Sequence, residues 1–169
     1  MIGGMLIQGL TSQRLSLAAV ALFVLCAAPP AHGQSTAVCE TFTDAEVTDL
    51  LGKPPTVKRT ILGAESDCVW GITGLSLMVN RFEQEPETVT QMVDSELKNP
   101  RPGDTVAPEP TLGAHAVSTL GQYGRSATLL VASGKVFWKF HLEKIDQKLD
   151  TAVALPKMRA LAKKAIGVK

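Results

Sequence analysis

The chain has 169 residues, 45% of them hydrophobic and 20% charged, which is the size and composition of one globular domain. Its formal net charge is +1, and Arg14 is the single charged residue before Gln34, so residues 34–169 hold sixteen basic and sixteen acidic side chains. So even a balance lacks the basic footprint with which nucleic-acid binders neutralise phosphates, and that class is excluded.

Residues 1–14 contain no acidic residue, and residues 15–28 form a mostly apolar run closed by Pro29 and Pro30. Ala31-His32-Gly33 then places small residues where a signal peptidase reads them, so residues 1–33 are expected to be a cleavable signal. The run is shorter than the roughly 20 apolar residues of a spanning helix, and no transmembrane anchor is expected after cleavage. Leu25 precedes Cys26, where lipoprotein processing requires a small residue. The expected address is periplasmic or secreted. Cleavage also removes Cys26, leaving Cys39 and Cys68, which are expected to form a structural disulfide. A pair with no neighbouring His makes a poor zinc site, and a catalytic thiol would have to stay reduced in an oxidising compartment.

Along the remaining chain, residues 34–38 read as a disordered leader and 39–169 as a single domain. Residues 42–52 predict a helix: Thr43 and Glu46 make a capping box, Phe42 staples against Val47, and Gly52 ends it. Strands are predicted over 56–62, 67–73 and 75–82, the second placing Cys68, Trp70 and Ile72 on one side. Residues 86–98 predict a helix with Pro86 in its first turn and Val89, Met92, Val93 and Leu97 buried. Residues 99–110 carry four prolines and predict irregular structure. A short apolar segment over 112–119 follows, then a hairpin of 126–132 and 135–142 around Ser133-Gly134. In its second strand Val136, Trp138, Phe140 and Leu142 face inward, and Lys135, Phe137, Lys139 and His141 outward. A last helix is predicted from Pro156 to Ile166, ended by Gly167. The order α-β-β-β-α-(β)-β-β-α predicts an α+β fold, with an antiparallel sheet of about five strands and helices packed mainly on one face.

Three stretches carry a likeness: Cys39 ahead of Phe42-Thr-Asp-Ala-Glu-Val-Thr-Asp-Leu-Leu-Gly52, then Cys68-Val-Trp70, then Leu112-Gly-Ala-His-Ala116. In that order they resemble a class of small secreted bacterial domains of unknown function. The resemblance implies an α+β fold similar to PsbP-like domains. Many such relatives are actinobacterial lipoproteins, and this chain departs from them by lacking the lipid-attachment cysteine. The class implies no catalytic residues.

No Gly-x-Ser-x-Gly elbow, Ser-x-x-Lys, His-Glu-x-x-His, phosphate-binding glycine loop or EF-hand loop is present in the sequence, and no cofactor or metal is expected. The candidate chemistry is sparse. His115, beside the proline-rich stretch, is a candidate general base with Asp104 or Glu109, and His141 on the outer strand face reads as a solvated imidazole. Phe137 on that same face is expected to be exposed and to mark a partner contact if nothing covers it. Basic residues gather late, at Lys144, Lys148, Lys157, Arg159, Lys163, Lys164 and Lys169, beside the C-terminal end of a helix dipole. Three functions are compatible with these features. The first is an exported non-catalytic accessory or binding domain with a protein or envelope partner. The second is a small hydrolase-like enzyme using His115 and a loop carboxylate, and the third an envelope-associated protein held by its basic C-terminal helix.

Overall fold

The computed structural model describes residues 37–60 and 66–168. The expected signal, residues 34–36 of the leader and the end of the first predicted strand lie outside them. Within the described residues the chain runs α1 (Val38–Thr41), α2 (Asp44–Leu51), β1 (Val57–Arg59), β2 (Asp67–Ile72), β3 (Leu75–Glu83), α3 (Pro86–Lys98), β4 (Thr105–Pro108), a 3₁₀ turn (Pro110–Leu112), β5 (Ala116–Leu120), β6 (Ser126–Ser133), β7 (Val136–Lys144) and α4 (Thr151–Ala165). The strands form one antiparallel sheet in the order β1-β2-β3-β7-β6-β5-β4. The α+β class stands, with seven strands in place of about five.

Local chemistry accounts for the elements. Thr43 and Glu46 cap α2 reciprocally: the Thr43 backbone N–H donates to Glu46 Oε2 at 2.7 Å, and the Glu46 N–H donates to Thr43 Oγ1 at 3.3 Å. Gly52 closes the helix in the left-handed region at φ 77°. The tight turn at Gly74 joins β2 to β3, and that at Gly134 joins β6 to β7, both with φ positive.

Four boundaries differ from the sequence-based expectation. Val38, assigned to a disordered leader, begins α1 and is fully buried. The proline-rich stretch contains β4, because a sheet edge asks for hydrogen bonds on one side only and Pro108 closes the strand there. Helix α4 starts at Thr151, five residues before Pro156, since the Asp150 side chain accepts from the Val153 N–H and nucleates the first turn. Pro156 then forfeits one internal hydrogen bond. In α3 only Val89 and Val93 are buried, while Met92 and Leu97 are exposed, so the apolar stripe is narrower than its periodicity implied.

The sheet has two unequal faces. On the inner face α1, α2 and α4 cover Trp70, Leu77, Val79, Leu129, Phe140 and Leu142, all essentially inaccessible. Phe42 fills the centre, its ring edge-on to Trp70, Trp138 and Phe140 at 6.0, 6.4 and 6.0 Å. Each such fully buried side chain contributes about 1.5–3 kcal/mol of transfer free energy. Cys39 on α1 and Cys68 on β2 are joined as a disulfide with Cα atoms 5.1 Å apart, tying the first helix to the sheet. On the outer face α3 alone packs among the described residues, with Val89 and Val93 against Val117, Leu130 and Phe137. It covers part of that face and leaves the rest open.

Candidate functional site

The open part of the outer face is polar because of strand parity. Thr119 on β5 pairs with Thr128 on β6, Thr128 pairs with His141 on β7, and His141 pairs with Met78 on β3. These side chains stand in one row on the outer side of the sheet. The Thr128 hydroxyl and His141 Nδ1 share a hydrogen bond of 2.9 Å, while His141 Nε2 lies 3.9 Å from the Glu143 carboxylate. Burial lowers the His141 pKa below its usual 6.5, and the positive charges of Lys139 and Arg101 push it further down against the opposing pull of Glu143. The imidazole is therefore neutral at pH 7.

Thr119, Thr128 and His141 of this row floor a recess of about 150 Å³. Its walls come from three separate segments: Glu96 from the end of α3, Arg101 and Asp104 from the connection into β4, and Lys139 from β7. Ser126, Thr119 and Thr128 supply hydroxyls, and the Thr119 hydroxyl donates to Glu96 at 3.4 Å. Asp104 accepts the Gln122 backbone N–H at 3.0 Å. None of Glu96, Arg101, Asp104 or Lys139 has an opposite charge within 4.0 Å among the described residues.

The sequence-derived candidates fall in different places. His115 meets neither Asp104 nor Glu109; its Nδ1 lies 3.1 Å from Asp94 on α3, and both side chains are more than a third exposed. Glu109 is 4% exposed and held by Arg159 through two hydrogen bonds of 2.7 Å. It anchors α4 to the turn ahead of β5 and is not free to assist a base. Phe137, expected to be exposed, is 4% exposed, because α3 lies over it and Phe82 stacks on it at 4.6 Å. His141 and Asp104 share the recess, a juxtaposition the sequence reading did not make. Among the late cations, Lys157, Arg159 and Lys164 pair with Asp49, Glu109 and Glu46.

Sequence reasoning missed Thr128, Glu96, Arg101 and Asp94. For Thr128 a signal existed: once the hairpin turns at Gly134, Ser133 opposes Val136, and counting back along both strands puts Thr128 opposite His141. Glu96 and Arg101 come from elements whose placement depends on the far edge of the sheet, and no local pattern announces them.

Among the described residues no group of three or more His, Cys, Asp or Glu side chains is arranged to hold a metal ion, and no helix is long and apolar enough to cross a membrane. Compared with known proteins, the chain matches no family model, no curated protein and no solved structure.

Proposed function

We propose that this is an exported, non-catalytic binding domain that holds a small polar ligand in the outer-face recess. The observation that carries the proposal is the convergence of charges of both signs on one concavity. Pairs such as Glu109–Arg159 and Glu46–Lys164 instead tie elements together. Around the recess, Glu96, Arg101, Asp104 and Lys139 converge from three segments with no ionic partner among the described residues. Convergent polar groups without an ionic partner in a concavity are what a ligand site requires. Export is supported by the signal-like residues 1–33 and by the paired cysteines. The resemblance of the motifs at Cys39, Phe42 and Cys68 to small secreted bacterial domains with a PsbP-like fold points the same way. An accessory role with a protein or envelope partner is compatible with this function.

A thermal-shift screen of small polar molecules tests it, since a ligand that binds only the native state raises the melting temperature. A ligand at about 100 times its Kd adds about 2.7 kcal/mol of stability. At least one compound is expected to stabilise the wild type and to lose that effect in Thr128→Val and Lys139→Met. Stabilisation that survives both substitutions would move the ligand elsewhere and overturn the assignment.

A further inference from the structure

We infer that the recess is built for a small zwitterion, a molecule carrying an ammonium and a carboxylate close together with an apolar substituent, such as an aliphatic α-amino acid. This ligand class rests on the binding function proposed above and narrows it.

Size comes first. At about 150 Å³ the recess is well below the roughly 300–1,000 Å³ of sites for drug-sized ligands, yet far above the roughly 10–15 Å³ a single water needs. It fits a compact head group. Charge narrows the choice. The walls present two carboxylates, Glu96 and Asp104, and two cations, Arg101 and Lys139. A simple anion entering there meets two negative groups, and a simple cation meets two positive ones. Like charges repel at such range, and the more strongly as the effective dielectric constant falls below that of water. A zwitterion satisfies both pairs at once. The neutral imidazole of His141 leaves this balance undisturbed at pH 7 and, with Nδ1 held by Thr128, offers Nε2 as a hydrogen-bonding group.

The surroundings give the apolar part a place. Glu96, Lys139 and Leu130 border both the recess and a larger depression of about 500 Å³. That depression is faced by Phe82, stacked on Phe137, and by Met92, which is 37% exposed on α3. A ligand whose head sits among the four charges extends its side chain across Leu130 toward Phe82 and Met92, on one side of a depression that Ser66, Asp67 and Asn80 also line. The exposure of Met92, an apolar residue on an otherwise covering helix, gains a purpose here.

Isothermal titration calorimetry on the purified, oxidised protein with three probes tests the inference: L-leucine, N-acetyl-L-leucine with its amine blocked, and L-leucinamide with its carboxylate blocked. L-Leucine is expected to bind, and each blocked form to bind at least about tenfold more weakly. Arg101→Gln is expected to weaken L-leucine while leaving L-leucinamide unchanged; Glu96→Gln is expected to weaken L-leucine while leaving N-acetyl-L-leucine unchanged. Equal or tighter binding of N-acetyl-L-leucine would overturn the zwitterion and leave the binding function standing with an anionic ligand. Failure of all three probes to bind, or to shift the NMR signals of Thr128 and His141 at millimolar concentration, overturns the zwitterion as well. The recess as a ligand site falls only if the polar screen also yields nothing that depends on Thr128 and Lys139.

Discussion

Arg159 Nε and Nη2 donate to the two carboxylate oxygens of Glu109, both at 2.7 Å, across a sequence separation of 50 residues. Burial opposes the charged form of Glu109, but hydrogen bonds from Arg159 and Ser118, with the charge of Arg159, outweigh it and hold the pKa below 4.5. The guanidinium is shifted up in turn, chiefly by the same hydrogen bonds. The two shifts agree in sense, and the pair locks α4 against the 3₁₀ turn that feeds β5.

The two partners differ in burial, 35% exposed for the Arg159 side chain against 5% for that of Glu109, so their removal is not symmetrical. Arg159→Ala strands a buried carboxylate and is expected to cost about 2–3 kcal/mol, below the roughly 3–5 of a fully buried pair because water reaches the arginine side. Glu109→Gln frees a guanidinium that solvent can hydrate and keeps a hydrogen-bonding amide, at about 1 kcal/mol. Urea unfolding of both variants checks the order. A larger loss for Glu109→Gln would show that the arginine, and not the carboxylate, is the group that solvent cannot reach.

The bond between Cys39 and Cys68 spans a sequence separation of 29 residues. By loop-closure entropy it stabilises the fold by roughly 3–4 kcal/mol. Reduction is expected to lower the urea midpoint accordingly and to loosen α1 first, because that helix has only four residues and cannot persist by itself. Hydrogen exchange at Glu40, whose N–H donates to Ala37 O at 2.8 Å, reports on it. Unchanged protection in the reduced protein would mean that packing of Val38 and Phe42 alone holds the segment.

Phe42 touches the aromatic rings of both β2 and β7 from the link between α1 and α2. Phe42→Ala is expected to cost about 3–5 kcal/mol, a cavity in the densest part of the core. That is a large share of the roughly 5–15 kcal/mol available to a domain. The near-ultraviolet circular dichroism of Trp70 and Trp138 should weaken with it. A loss under about 1 kcal/mol would show that the surrounding rings collapse into the space.

Much of this architecture was legible because it is written locally. The capping box at Thr43 and Glu46, Gly52 at the helix end, Pro86 opening α3 and the alternation through Trp138 and Phe140 each act within a few residues. What escaped is set by distant partners. The sequence of β4 ends in Pro108, and only its position at the sheet edge makes that proline tolerable. Phe137 alternates as an outward residue should, yet α3 crosses over it, and nothing in either segment announces that crossing. The recess is the extreme case: Glu96, Arg101 and Lys139 lie in segments with no shared pattern, and the fold alone brings them together. His115 read as a candidate base because it lies near the proline-rich stretch, but it and Glu109 meet different partners, Asp94 and Arg159.

His141 gives the domain a pH dependence of defined sign. Its side chain is 25% exposed, its Nδ1 is shared with Thr128, and burial followed by Lys139 and Arg101 lowers its pKa from 6.5. In the unfolded chain the imidazole protonates near 6.5, while in the fold it stays neutral to lower pH. Between the folded pKa and 6.5 the unfolded state therefore holds the extra proton, so stability declines as pH falls through that window and is fully present above it. The depressed Glu109 adds its own loss only below about 4.5, and within the interval from pH 7 to 5 the difference from His141→Gln isolates the part that His141 carries. His141→Gln is expected to flatten the stability profile there, and Lys139→Met to raise the imidazole pKa by removing a positive charge that depresses it. Proton NMR titration of the His141 ring gives the value directly. A midpoint at or above 6.5 would mean that Glu143, and not burial with the two cations, governs this imidazole.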